Sequence, residues 1–228
     1  MGKEVVGSMS KWSGVLKDMF RQFGDGSLTL NQTTAFVDHK DPFKAGFSAL
    51  IQDWQKFYKK IFNLKVDFSR VPVPEAPDEF SWLVCVPKMT TEQAFRYGKK
   101  QFPNWKETDK SLDDVLDLSF GRDARQYPYI IRLCANVEAD KDLRNLSADD
   151  IVAQKIDTAT LKQRLLLGRF LHWKEGLFLD EKNTTLCSGS RYTNGSVPSV
   201  LCRDGELGVI PSNSDRRLDS LRPRRVVS

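Results

Sequence analysis

Apolar positions along the 228-residue chain recur first at helical spacing and later at the shorter spacing of strands. Trp12, Leu16, Met19, Phe20 and Phe23 fall on one face of a helix that starts near Lys11, with Ser10 as its N-cap and Gly24 just past its end. A second helix opens at Asp41-Pro42, a capping residue followed by a proline in the first turn. Phe47, Leu50, Ile51, Trp54, Phe57, Tyr58 and Ile61 line its apolar face. The pattern then breaks. Pro72, Pro74 and Pro77, between Phe68 and Phe80, predict an extended linker and a domain boundary.

Beyond the linker, residues 81–86 (SWLVCV) predict a buried strand, and Thr91 caps a helix reaching to Phe102. Residues 127–137 (YPYIIRLCANV) carry the strongest strand signal, because aromatic and β-branched side chains fit a pleated surface. Ser147 starts a short helix, and the longest helix runs over 158–175 with Gly176 as its stop. In that helix Leu166, Phe170, Trp173 and Leu177 mark one face, while Leu161, Leu165, Leu167 and Leu171 spread apolar surface round the rest. A helix apolar on all sides belongs at the centre of a core. The expected organisation is a helical region over 1–66, a linker over 67–79 and an α+β domain over 80–228.

Composition narrows the function classes. A hydrophobic share of 40% with 14 Phe and 5 Trp excludes a disordered chain. No apolar run approaches the length of a membrane span, and the N-terminus lacks the apolar stretch of a secretory signal, so the expected location is cytoplasmic, with export by another route left open. The net charge of +5 suits an acidic partner, but 30 acidic residues interleave with 35 basic ones, as on an ordinary solvated surface. Cys85, Cys134, Cys187 and Cys202 form no C-x-x-C pair, and His39 and His172 stand alone, so no metal site and no cofactor are expected. Cys187 with His172 is the one imaginable nucleophile and base, yet no nucleophile motif surrounds the cysteine. Glu138, Asp140 and Asp142 alternate like calcium ligands but lack the glycine and distal glutamate of a calcium loop.

The last forty residues differ from the rest. The 188 residues before them hold 19 Lys, 9 Gln, 8 Glu, 5 Trp and 4 Met, and at that frequency forty residues would hold about ten of these types. Residues 189–228 hold one, Glu206, and every basic residue among them is arginine. Spaced apolar residues such as Val197, Val200, Leu207 and Val209, with turn signals at Asn194-Gly195 and Asp204-Gly205, predict short strands and loops rather than a disordered arm.

The stretch from Cys187 to Pro198 (CSGSRYTNGSVP), with the closing LRPRRVVS, resembles the variable region of diversity-generating retroelement target proteins, whose fold is C-type lectin-like. The resemblance covers about residues 127–228. It departs from the common pattern where Ser188-Gly-Ser-Arg191 replaces Gly-Gly-Ser-Trp and where Ser220-Leu-Arg222 replaces Gly-Phe-Arg. In that family adenine-directed mutagenesis rewrites asparagine-type codons, which cannot become Lys, Gln, Glu, Trp or Met. The resemblance implies a non-enzymatic protein with a hypervariable ligand-binding face for a protein or other macromolecule. It assigns Gly189, Ser190, Arg191, Gly195, Val197, Pro198, Val200, Leu207, Val209, Leu221, Arg222, Arg224 and the terminal valines to a fixed scaffold. For display it implies Tyr192, Thr193, Asn194, Ser196, Ser199, Leu201, Arg203, Asp204, Ile210, Ser212, Asn213, Asp215, Arg216, Asp219 and Ser220, and in a wider set Cys202 and Gly208. Tyr192, Arg203 and Arg216 are the expected anchors. Two alternatives stand beside this reading: nucleic-acid binding through the arginine-rich end, and a hydrolase of unrecognised type. The N-terminal helices carry no functional signature beyond apolar faces suited to oligomerisation.

Overall fold

The computed structural model describes residues 9–24, 42–120 and 127–228. The chain divides into two compact units, residues 1–50 and 51–228. In the first, α1 (Met9–Gly24) leaves Leu16 and Phe20 exposed, at 49% and 72%, and Asp18 accepts hydrogen bonds from Arg21 and Gln22 one turn on. His39, Asp41 and the side chains of Ser10, Trp12 and Phe23 lie outside the described residues. Helix α2 (Pro42–Phe57) runs from the first unit into the second.

The division therefore falls inside α2, not at the proline stretch. The reason is the burial of its final turns: Trp54 and Phe57 are fully buried, and the π-turn Tyr58–Phe62 adds Tyr58 and Phe62. Phe68 and Phe80, at the two ends of the expected linker, are buried as well. That stretch is part of the second unit's packing, and it separates no domains.

The second unit is α+β. In chain order it contains β1 (Trp82–Val86), α3 (Thr91–Gly98), β2 (Asn104–Lys106), α4 (Leu112–Val115), β3 (Tyr129–Leu133), α5 (Ala148–Ala153), α6 (Leu161–Glu175), β4 (Thr184–Leu186), β5 (Val197–Arg203), β6 (Glu206–Ser212), β7 (Leu221–Arg222) and β8 (Val226–Val227). Helix α3 starts one residue earlier than Thr91 alone suggests, because Thr90 is the N-cap and forms a capping box with Gln93. It stops at Gly98 rather than Phe102, and Lys99, Lys100 and Gln101 close tight turns on the carbonyls three residues back. Strand β3 is also shorter than its apolar run, since the chain turns after Cys134, where Asn136 N–H bonds the Cys134 carbonyl.

Two sheets flank α6. The smaller is antiparallel, with strand order β1-β3-β8. The larger is mixed, with order β2-β6-β5-β4-β7, in which β2 runs parallel to β6 and β7 parallel to β4. Helix α6 contacts β1 on one side and β5 on the other. Leu161, Leu165, Leu166, Leu167, Phe170 and Leu171 are all buried, as an all-round apolar helix requires. Its stop is the expected one, with Gly176 closing the helix in the left-handed region at φ 72°. It starts at Leu161 rather than near Thr158, because Thr160 and Gln163 form a capping box there, and at 15 residues it is one shorter than α1 and α2.

Register fixes which side chains of the larger sheet face α6. Thr185 pairs with Val200 and Val200 with Val209, so these three share the inner face. Leu186 and Val197 point the other way, into a small second core with Ala148 and Leu221. The β5–β6 hairpin turns through Asp204-Gly205 alone, both with positive φ (51° and 75°), the backbone of a type I′ turn. No described helix is long and apolar enough to cross a membrane.

Candidate ligand-recognition face

Residues 189–228 are held by a buried charge cluster. Asp180 is fully buried between two arginines: Arg164 Nε donates to one carboxylate oxygen at 2.8 Å and Arg224 Nη2 to the other at 2.6 Å. The Thr185 hydroxyl donates to the same carboxylate. Burial alone would raise the Asp180 carboxyl, but Arg224 and Arg164 hold it below the usual carboxylate range. Arg224 also donates to the carbonyls of Asn136 (2.6 Å) and Val137 (2.8 Å), which accounts for the early end of β3. Ala159 N–H bonds the Arg224 carbonyl, and Val226 N–H bonds the Asp157 carbonyl, so the end of the segment is fastened on both sides.

The start of the segment is equally constrained. Ser190 Oγ accepts from Leu161 N–H at the first turn of α6 (3.0 Å), and the Thr158 and Ser188 hydroxyls bond at 2.8 Å. A Cβ on Gly189 would lie 2.4 Å from the Thr158 carbonyl oxygen and 3.0 Å from the Ala159 carbonyl carbon. Both are backbone atoms that cannot rotate away, so glycine is required by close approach. Gly189→Ala is expected to cost about 1–3 kcal/mol, read as a fall in the urea midpoint with an unchanged slope.

Of the expected display residues, Ser199 and Ser212 do not reach the surface. They are 0% and 5% exposed and hydrogen-bond each other at 2.8 Å across the hairpin. Tyr192 is 9% exposed, so it lines the surface rather than projecting from it. Cys202 is buried on the inner face, and Gly208 lies against the Trp105 ring, where a Cβ would meet a ring carbon at 2.6 Å. None of these five projects a side chain into solvent. Their burial follows from strand register, which composition does not report.

The remaining positions fall into three places. Thr193 and Asn194 are exposed and Ser196 half-buried on a tight turn. That turn is set by Tyr192 N–H on the Ser196 carbonyl, Gly195 at φ 85°, and Ser196 Oγ donating to Asn194 Oδ1 at 2.7 Å. Thr193 N–H is anchored on the Val115 carbonyl (2.8 Å). Asn213, Asp215, Arg216, Asp219 and Ser220 are exposed on the loop between β6 and β7. The two loops converge on α5: Arg191 and Ser214 bond opposite oxygens of Asp149, and Arg217 makes a two-pronged pair with Asp150. Arg217 and the Ser147 hydrogen bonds keep the Asp150 carboxyl well below its usual range.

Arg203 and Asp204 are exposed at the opposite end of the hairpin. With roughly 3.3 Å per strand residue, they lie about 20 Å from the 192–196 turn. Leu201 and Ile210 are half-buried between the two ends, on the outer face shared with Gly208. The exposed members of the expected display set thus lie on a rim of two joined loops and on a separate hairpin tip.

Beside the 192–196 turn lies a cleft of about 220 Å³ lined by Glu107, Thr108, Val115, Tyr192, Thr193, Asn194, Ser196 and Pro211. Glu107, Thr108 and Val115 come from the β2–α4 region, some eighty residues earlier in the chain. Periodicity and composition give no signal that would place them there. A larger cavity, about 550 Å³, lies between α5, the start of α6 and β8, away from these loops. Four of its polar residues, Thr158, Thr160, Gln163 and Ser188, bond one another or Tyr129.

The groups weighed for chemistry are also engaged. Cys187 is fully buried, donates to the Thr185 carbonyl, and burial pushes its thiol up to about 12. His172 packs against Phe102 and Phe178, and burial with the nearby Arg169 lowers its pKa. Glu138 accepts from Lys182 N–H and Asn183, Asp140 from Arg225 N–H, and Asp142 pairs with Arg225. Among the described residues no group of three His, Cys, Asp or Glu is placed to hold a metal ion. Comparison with protein families, curated proteins and solved structures finds no match to this chain.

Proposed function

We propose that the protein is a non-enzymatic ligand-binding protein whose residues 189–228 form a recognition surface diversified by a retroelement, on a C-type lectin-like scaffold. The observation that carries the reading is an overlap. After Lys182 the chain holds one residue among Lys, Gln, Glu, Trp and Met, Glu206, and within that stretch, from Gly189, it builds the fastened segment whose loops carry the exposed positions. Of the expected fixed residues, Val197, Val200, Leu207, Val209, Leu221 and Arg224 are buried and Gly189 is sterically required, while the 193–196 and 213–220 loops carry side chains drawn from the reachable set. Serine, asparagine, aspartate and arginine on loops pinned to a rigid base suit adaptable polar recognition of a macromolecule. The return of β8 to pair with β3, with short strands and loops between, supports the lectin-like comparison.

The arginine-rich end favours nucleic acid less than its composition suggests. Arg191, Arg217, Arg222, Arg224 and Arg225 each pair with a carboxylate of the chain. Phosphate contacts need cations free to replace counterions.

The test is to sequence the 3′ end of the gene and its flanking DNA in many individuals of the natural population. The expected result is substitution concentrated at the exposed codons between Arg191 and Arg224, sparing Gly189, Ser199, Ser212 and Arg224, beside a near-identical template repeat and a reverse transcriptase gene. A uniform 3′ end with no repeat nearby would end the proposal.

A further inference from the structure

We infer that the cleft beside the 192–196 turn receives a lysine or arginine side chain of the protein ligand, with Glu107 as its charge partner. This rests on the recognition surface proposed above and names what one part of it accepts. The cleft has one charged lining residue, Glu107, which is exposed and has no ion pair or side-chain hydrogen bond among the described residues. Its position is nevertheless fixed, since its N–H bonds the Val209 carbonyl at 3.1 Å at the end of the sheet.

Among the described residues no cation occupies the role. Lys106, next in sequence, is committed to Glu92 at 2.9 Å and to the Lys110 carbonyl. Of the nearby carboxylates, Asp113 accepts from the N–H groups of Thr91 and Glu92, and Asp117 from Ser119. The rest of the lining suits a long cationic side chain. Val115, Pro211 and the Tyr192 ring offer apolar surface to the methylene stem, and the hydroxyls of Thr193 and Ser196 offer oxygen atoms near its head. At about 220 Å³ the cleft is smaller than the ~300–1,000 Å³ typical of small-molecule sites and matches a single inserted side chain.

The division of the lining has a functional meaning. Glu107, Thr108 and Val115 lie outside residues 189–228, whereas Thr193, Asn194 and Ser196 lie inside. A constant carboxylate would give every variant the same preference for a cation at this point, and the varying residues would set what surrounds it.

The experiment titrates the full ¹⁵N-labelled chain with Nα-acetyl-arginine amide and Nα-acetyl-lysine amide, with Nα-acetyl-norleucine amide as the uncharged control. At least one cationic probe is expected to shift the amide signals of Thr108, Thr193, Asn194 and Ser196, and norleucine to leave them in place. Glu107→Gln is expected to weaken that binding about fivefold, the scale of one partly exposed ion pair, with the rest of the spectrum unchanged. Equal shifts from norleucine, undiminished binding in Glu107→Gln, or no shift from either cation would overturn the inference. A varied 3′ gene end with no cation binding would sink this subsite alone. A uniform 3′ end with Glu107-dependent binding would leave the subsite and remove the diversification.

Discussion

Asp180→Ala is expected to remove about 3–5 kcal/mol of stability from the 51–228 unit, enough to unfold it or nearly so. The carboxylate is the shared partner of Arg164 and Arg224, all three being 0–1% exposed. Deleting it leaves two guanidinium groups facing each other in a region water does not reach, and neither can shed its proton as a lysine would. Arg164 would keep only the Leu179 carbonyl and Thr185, while Arg224 would keep Thr185 and the two β3-end carbonyls. Equilibrium urea unfolding followed by far-UV circular dichroism reads the loss directly. A variant as stable as the parent would mean that the cluster contributes nothing.

The same carboxylate predicts an acid dependence whose sign can be worked out. Its pKa in the folded protein lies below the unfolded value of about 3.9. The ionised form is therefore the one that folding favours, and its contribution is complete above that unfolded value. It is lost as pH falls from there through the lower folded pKa, because over that window the unfolded chain binds the proton more readily than the folded one. Wild-type stability should fall steeply below about pH 4, and Asp180→Asn, weaker at neutral pH, should show a shallower acid slope. Parallel slopes for the two would place the acid sensitivity elsewhere.

The second large effect is expected at the other side of α6. Trp54→Ala should cost about 3–5 kcal/mol. The indole is fully buried, stacks on Phe170 at 3.9 Å and 7° between planes, and donates from Nε1 to the Leu83 carbonyl of β1 at 2.9 Å. Truncation opens a cavity beneath Phe57, Tyr58 and Phe170 and orphans the strand carbonyl. Trp54→Phe keeps most of the stacking and loses the donor, so its cost should be nearer 1 kcal/mol. The check is the pair of urea midpoints. Equal losses in the two variants would assign the effect to the hydrogen bond rather than to packing.

Local signals were readable where the physics is local. Caps at Ser147 and Gly176 and the Asp204-Gly205 hairpin depend on neighbouring residues, and each occurs where the sequence puts it. The leucines and Phe170 spread round 161–171 likewise announced the central helix, although Lys162, Gln163, Arg164 and Arg169 are buried with them. The proline stretch misled because proline restricts φ without saying whether the extended chain is packed. Phe68 and Phe80 decide that it is. Ser199 and Ser212, which the resemblance assigns to display, are buried. Their mutual hydrogen bond, which makes burial acceptable, joins residues thirteen apart through a register that no short window contains. Glu107 was overlooked for the same reason, since a parallel β2–β6 pairing carries it to the 192–196 turn.

The pairing of Val226–Val227 with β3 also sets a timetable. Strand β3 leaves synthesis more than ninety residues before its second neighbour does. At roughly 5–20 residues per second, that interval lasts about five to twenty seconds. Throughout it the outer edge of β3 is an open template for another chain, and the Asp180 cluster lacks Arg224. A nascent chain of this protein therefore passes through a prolonged half-built stage, with one sheet unfinished and its buried carboxylate short of a counter-charge. Any stop codon introduced before residue 224 leaves the chain at that stage permanently. Completion of the fold thus requires that the 189–228 segment be read in frame through Arg224 and β8.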